Sequence, residues 1–168
     1  MKPAEKTSTI EPGTNSLHNL VKQLLANYQP VAVRQSSFFI NDVPTGFNLL
    51  ADKQVLATLL GSVLYLTARC SKDTCIKVSA KRYHDVLLLH IIDTNTHNSY
   101  SILSQLQHLQ ILAEKIGGFL DVTSRRNKQT TISFSFTNQK TAGKYDEQSV
   151  MKDICKADAE FVKYLKAS

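Results

Sequence analysis

The chain has 168 residues, 42% of them hydrophobic and 20% charged, which supports one domain with a real core and excludes wholesale disorder. It holds only six glycines, about half the usual share of roughly 7%, and no two of them are separated by a single residue, so the Walker loop, the dinucleotide fingerprint and the kinase glycine-rich lid are excluded. The net charge of +6 comes without a basic stripe or interleaved aromatics, so nucleic acid is not an expected partner.

Residues 1–14 carry two prolines, a glycine and several Ser, Thr, Lys and Glu, and are expected to form a disordered arm. Asn15 or Ser16 then caps a predicted helix running to about Asn27, with Leu17, Leu20, Val21, Leu24 and Leu25 on one face. Pro30 is expected to end it. Arg34–Ile40 and Gly46–Leu50 read as two short strands around the turn Asn41-Asp42-Val43-Pro44. Asp52 caps the clearest helix, in which Val55, Leu56, Leu59, Leu60, Val63 and Leu64 make one broad apolar stripe ending near Arg69. Thr74–Lys81 and Asp85–Asp93 read as a hairpin turning at Lys81–His84, the second strand nearly continuously apolar.

A further helix is predicted over Ser101–Ile116, with Leu103, Leu106, Leu109, Leu112, Ala113 and Ile116 facing inward and Gly117-Gly118 stopping it. Phe119–Ser124 and Thr130–Thr137 form a second predicted hairpin, in which Ile132, Phe134 and Phe136 alternate with serines. The domain therefore spans 15–137, followed by a polar linker at 138–149. Residues 150–168 carry a C-terminal amphipathic helix marked by Val150, Ile154, Ala157, Phe161 and Leu165. The readings open for that helix are docking on its own domain, contact with a second copy or partner, and disorder. The mixture of strands and helices argues for an α+β fold: a two-layer α/β sandwich with helices on one face of a mixed sheet.

Cys70, Cys75 and Cys155 fit neither a disulfide framework nor a zinc site. No apolar run reaches the length of a transmembrane helix, and the first residues have no apolar signal core. A cytoplasmic protein that does not engage membrane is expected, with no metal. His84, His90, His97 and His108 show no helical pairing with carboxylates, and His90 is expected to be a core or edge residue of its strand.

The order of elements and several motifs resemble the ATP-binding domain of sensor histidine kinases, the fold shared with gyrase, MutL and the large heat-shock chaperone. The likeness covers Asp52–Phe136, about half of the chain. The family helix reads D-x-x-x-L-x-x-x-L-x-N-L-L-x-N-A-x-K-Y-T, and this chain has ADKQVLATLLGSVLYLT. Leu59, Leu60 and Thr67 match. The family's magnesium-holding asparagine falls on Ser62, its first asparagine on Thr58 and its basic residue on Tyr65. The family strand ending D-x-G-x-G becomes Asp93-Thr94-Asn95-Thr96-His97: the adenine-reading aspartate matches Asp93, and both glycines are replaced. The glycines of the family's next box, G-x-G-L-G-L-A, fall on Leu103 and Gln105, and only about ten residues separate Asp93 from the helix, where the family has a long lid. Gly117-Gly118 and the closing hairpin fit, and Thr130 stands where a family threonine lies near adenine.

The resemblance implies a carboxylate reading adenine, an asparagine oxygen fixing magnesium, and glycine-rich turns presenting N–H groups to phosphate. This sequence keeps the first device and replaces the other two. Ser62 is shorter than asparagine by about one bond, and a leucine side chain at 103 takes the place of a glycine beside phosphate. Asp93 and Thr130 are thus candidates for a relic adenine site and Ser62 for a degenerate magnesium position. The structural reading of Asp93, a strand end that caps its turn, stands beside the functional one. His18 lacks the family's H-E-x-x-N-P box and reads as an exposed helix histidine rather than a phosphoacceptor.

The expected function is non-catalytic: a pseudo-ATPase with no cofactor, acting as a binding or regulatory module on a response regulator or kinase in bacterial two-component-type signalling. A homodimer through the C-terminal helix is a further candidate contact. The alternative is an ATP-binding kinase or anti-sigma-type ATPase with an atypical pocket, using ATP and magnesium.

Overall fold

The structure is a computed structural model and describes residues 15–94, 99–115, 117–125 and 129–139. Eight elements follow in the order α1 (Leu17–Arg34), β1 (Phe38–Asp42), α2 (Lys53–Cys70), β2 (Cys75–Tyr83), β3 (Val86–Asp93), α3 (Ser99–Lys115), β4 (Gly118–Arg125) and β5 (Gln129–Thr137). The strands form one mixed sheet in the order β1-β2-β3-β5-β4. β1 runs parallel to β2, and every other pairing is antiparallel. The predicted α+β sandwich is therefore observed. The arm at 1–14, the linker beyond Gln139 and the C-terminal segment lie outside the described residues.

Strand alternation divides the sheet sharply. Ile76, Val78, Leu87, Leu89, Ile91, Ile132, Phe134 and Phe136 point to one face, where they join the helices in a single apolar core. α1 buries Leu17, Leu20, Val21, Leu24 and Leu25 there, and α2 buries Leu56, Leu59, Leu60, Val63 and Leu64. These are the stripes read from the sequence. In α3 the inward residue of the first turn is Ile102, which is almost fully buried, along with Leu106, Leu109, Leu112 and Ala113.

The first quarter of the domain differs from expectation. Pro30 lies inside α1, which continues to Arg34. A proline in a helix interior costs about 3 kcal/mol, and here the extra turn buries Ala32 completely and ends in a tight cap. The N–H of Ser37 bonds the Ala32 carbonyl and that of Ser36 bonds the Val33 carbonyl, both at 2.9 Å. Ser36 takes the left-handed conformation at φ 56° that closes such caps. Residues 46–50 do not pair with β1. Instead Asn48 bridges Ser16, and the Leu17 N–H bonds the Phe47 carbonyl at 2.9 Å. Backbone from 47–49 thus closes the start of α1, and the Ser16 side chain makes no cap bond. Released from a hairpin, β1 pairs parallel to β2 (Phe38 beside Cys75, Asp42 beside Ser79).

Asp52 caps α2 as expected, its carboxylate accepting from the N–H groups of Gln54 at 2.8 Å and Val55 at 3.1 Å. At the other end of the domain, Gly117 adopts φ 69° after α3. Gly118 starts β4 where a Cβ would stand 2.8 Å from the Ser135 carbonyl oxygen and 2.9 Å from Phe134, so the strand and the helix end meet only over glycine.

Both sheet edges are blunted by glutamines from the helix layer. Gln29 of α1 accepts from the Phe39 N–H at 3.3 Å, and Gln110 of α3 accepts from the Leu120 N–H at 2.8 Å. Each occupies a donor that an edge strand otherwise offers to a foreign strand.

Asn138 is part of the fold rather than the first residue of a linker. It is 5% exposed. Its Oδ1 accepts from the N–H groups of Leu50 at 2.7 Å and Ala51 at 3.2 Å, its Nδ2 donates to the Asn48 carbonyl at 2.9 Å, and its own N–H bonds the Asp85 carbonyl at 2.7 Å. One side chain thereby fastens the approach to α2 against the end of β5. Replacing Asn138 by alanine leaves those backbone groups unpaired and is expected to lower stability by about 2–3 kcal/mol, read by urea unfolding. Gly118→Ala is expected to cost about 1–3 kcal/mol through overpacking, with a melting shift as the measurement.

Candidate functional site

Register places Asp93, the last residue of β3, directly beside Thr130 of β5 and Ile76 of β2. All three point into the helix-covered face. Asp93 is 4% exposed and Thr130 is 1% exposed. The two residues assigned to the adenine end are thus brought together by strand pairing. Ser62 is not brought to them: it lies nine residues before Ser71 on α2, about 13 Å along the helix.

The surroundings of Asp93 explain how a carboxylate sits inside the core. Ser71, the residue that ends α2, donates to Asp93 Oδ2 at 2.5 Å. Thr74, just before β2, donates to Oδ1 at 2.8 Å. The Ser71 bond has the short length of a hydroxyl-to-carboxylate contact, and the Thr74 bond is of ordinary length. The Ser71 hydroxyl also reaches the Thr67 carbonyl at 2.7 Å, so its single hydrogen is shared. Behind Thr74 stands Thr94, with the two hydroxyl oxygens 2.6 Å apart. Asp93 therefore ends β3 and ties together the end of α2, the start of β2 and the end of β3. Ser71 and Thr74 were not singled out in the sequence. The only local signal was a serine and a threonine flanking Lys72-Asp73, and only the fold brings them to residue 93.

Thr130 is in the opposite condition. Its Oγ1 is buried and has no hydrogen-bond partner. A buried hydroxyl left unpaired is a departure that calls for an explanation, and a water or ligand is the ordinary one. Neighbouring strands here therefore hold one carboxylate with hydrogen-bond donors and one buried hydroxyl without a partner.

The α2 face assigned to magnesium and phosphate is built differently. Ser62 is half-buried and donates to the Thr58 carbonyl at 3.0 Å, and Thr58 donates to the Gln54 carbonyl at 3.0 Å. Both hydroxyls are bent back onto their own helix, one turn earlier. Tyr65, at the basic position of the family pattern, packs its ring against Tyr28 of α1 with centroids 5.9 Å apart. Gly61 makes room for that contact, since a Cβ there would stand 2.9 Å from the Tyr28 hydroxyl. Thr58, Ser62 and Tyr65 themselves supply neither a carboxamide nor a cation to this face. Of the former glycine positions, Asn95, His97 and the side chain of Leu103 lie outside the described residues, and Gln105 is half-buried in α3.

His18 is half-buried rather than exposed, its Nδ1 2.6 Å from the Val43 carbonyl, which makes that nitrogen a donor. His90 is half-buried on the sheet face away from the helices, between Ser79 and Ser133. His84 turns the β2–β3 hairpin at φ 51°. Among the described residues no cluster of three His, Cys, Asp or Glu side chains is placed to hold a metal ion.

Two substitutions separate the roles of Asp93 and Thr130. Ser71→Ala removes a bond to a buried carboxylate and is expected to destabilise by about 1.5–3 kcal/mol. Thr130→Val keeps the shape and removes an unpaired hydroxyl, and is expected to stabilise the domain by about 1 kcal/mol. Urea unfolding of both variants is the measurement.

No family model matches the chain, and no curated protein does. Solved structures do match. The histidine kinase AdeS of Acinetobacter baumannii aligns at TM-score 0.61 and 10% identity, over 74% of this chain and 66% of that one. The nucleotide-free catalytic domain of the histidine kinase ThkA aligns at TM-score 0.62 and 10% identity, over 74% of this chain and 96% of that one. The mycobacterial sensor histidine kinase MprB aligns at TM-score 0.58 and 16% identity, over 74% and 95%. The chain spans just under two thirds of AdeS, so it corresponds to a part of that kinase and to nearly all of the ThkA catalytic domain. With the order of its elements and its mixed sheet, the chain has the fold of histidine-kinase catalytic domains.

Proposed function

We propose that this domain is a pseudo-ATPase: a non-catalytic regulatory or protein-interaction module in bacterial two-component-type signalling, working in the cytoplasm on a response regulator or a kinase. The observation that carries the reading is the α2 face. Where the fold's nucleotide chemistry calls for an asparagine oxygen and a basic side chain, this chain has hydroxyls folded back onto the helix and a tyrosine packed at a tilt against Tyr28 of α1. A hard divalent cation between phosphates needs oxygen ligands directed away from the helix. The sequence after Asp93 also lacks the two glycines whose backbone, in the family it resembles, approaches phosphate. No helix among the described residues is long and apolar enough to cross a membrane. Without the phosphate and metal groups the fold serves as a shaped surface, as folds often do when their sites change.

The unpaired Thr130 hydroxyl favours a second reading for the adenine end alone. Thr130 offers a hydroxyl donor beside Asp93 on the neighbouring strand. A purine base without its phosphates suits that pair. This reading keeps a ligand and still omits ATP turnover.

Calorimetric titration distinguishes these readings from an active ATPase. Mg-ATP is expected to show no saturable binding tighter than about 100 μM, roughly −5.5 kcal/mol, and to bind no better than adenosine with or without magnesium. A triphosphate advantage of tenfold or more overturns the proposal. For the partner, cross-linking of the full chain in bacterial cells followed by mass spectrometry is expected to return a response regulator or a histidine kinase. Recovery of neither class leaves the regulatory assignment without its partner and refutes it.

A further inference from the structure

The sheet face turned away from the helices carries an apolar patch that nothing among the described residues covers. Eight large apolar side chains are exposed among those residues, and five of them, Phe38, Ile40, Tyr83, Val86 and Phe119, point to this one face. Scattered apolar exposure is ordinary, whereas concentration on one face marks a contact surface. The face is not uniform. A polar row crosses its middle, with Asp42, Ser79, His90, Ser133 and Asp121 side by side on successive strands. Beyond that row, at the end where β2 turns into β3, Tyr83, Val86, Leu88 and Phe119 stand together. Tyr83 pairs with Val86, and Leu88 and Phe119 both pair with Ser135. Tyr83 is 55% and Phe119 57% exposed.

The chain leaves the described fold at this same end. β5 finishes at Thr137 beside Val86, the Asn138 N–H bonds the Asp85 carbonyl, and the Gln139 side chain donates to the Asp85 carboxylate at 3.1 Å. Ten residues, 140–149, then precede the sequence stripe Val150, Ile154, Ala157, Phe161 and Leu165. Ten residues reach up to roughly 33 Å. The stripe spans about 24 Å if helical, and five strands present a face about 19 Å across. The tether starts at the patch, is long enough to turn back over it, and carries one apolar stripe of matching length. Tethering also holds such a segment at millimolar effective concentration.

We propose that residues 150–165 dock as an amphipathic helix on the Tyr83–Val86–Leu88–Phe119 end of the outer sheet face of their own chain. The domain then becomes three layers at that end, with the sheet between two sets of helices. This assignment is independent of whether the nucleotide site is active.

A spin label tests it. Cys155 lies within the segment, so a nitroxide is attached there in the full chain carrying Cys70→Ser and Cys75→Ser. Amide signals of 83–89, 118–121 and 133–137 are expected to broaden strongly, while those of α1, α2 and Phe38–Asp42 stay sharp. The broadening is expected to persist when the labelled chain is diluted tenfold with unlabelled chain. Broadening that appears instead between separately labelled copies assigns the patch to a second copy and overturns the proposal. Absence of localised broadening overturns it as well. A second measurement leaves all cysteines in place. Ile154→Asp with Phe161→Asp in the full chain is expected to raise anilinonaphthalene sulfonate fluorescence several-fold at an unchanged far-ultraviolet spectrum, and an unchanged dye signal contradicts docking.

Discussion

A carboxylate taken out of water must be given hydrogen bonds or the chain will not place it there. Asp93 meets that condition with two hydroxyls from two other elements, Ser71 at the end of α2 and Thr74 before β2. The consequence reaches across the domain. The end of the central helix is held to the sheet, the β2–β3 register is pinned at Ile76 and Asp93, and Thr130 is brought alongside. The same knot sets what the site can do, because the oxygens that hold the fold together are those that would read a ligand.

A second constraint acts at the rims. A sheet edge that offers unpaired N–H groups invites unwanted pairing. The helix layer answers on both edges with glutamines, Gln29 onto Phe39 and Gln110 onto Leu120. Asn138 does comparable work at the end of the sheet, satisfying three backbone groups of residues 48–51 with one carboxamide. These polar side chains are neither catalytic nor decorative. They satisfy backbone groups where the regular ladders stop.

The two groups of residues that the resemblance assigns to a nucleotide differ in kind. At the sheet end, Asp93 and Thr130 stand side by side on neighbouring strands. On α2, the hydroxyls of Thr58 and Ser62 turn inward along the helix and Tyr65 joins Tyr28. The proposal of a non-catalytic module rests on that asymmetry. A base-sized ligand needs only the first group, whereas triphosphate and magnesium need both.

Much of this was legible in the residues because it depends on period and on local caps. The stripes of α1, α2 and α3, the alternation of β5, the Asp52 cap and the Gly117-Gly118 stop are short-range features, and the chain carries them in its spacing. The sequence by itself also determined that the positions matched to the family's glycines carry other residues, and it put Asp93 at the end of one strand and Thr130 at the start of another. What it did not reveal were pairings between residues distant along the chain. Pro30 reads as a stop, yet the helix runs on because Ala32 finds a buried place and Ser36 closes the cap. Residues 46–50 read as a strand, yet they meet Ser16 instead of β1. The partners of Asp93, the reach of Asn138 across about ninety residues and the orphaned state of Thr130 exist only once strands are in register and α2 lies on the sheet. Satisfaction of a buried polar group is decided by which distant groups the fold carries to it, and that is a property of the tertiary structure alone.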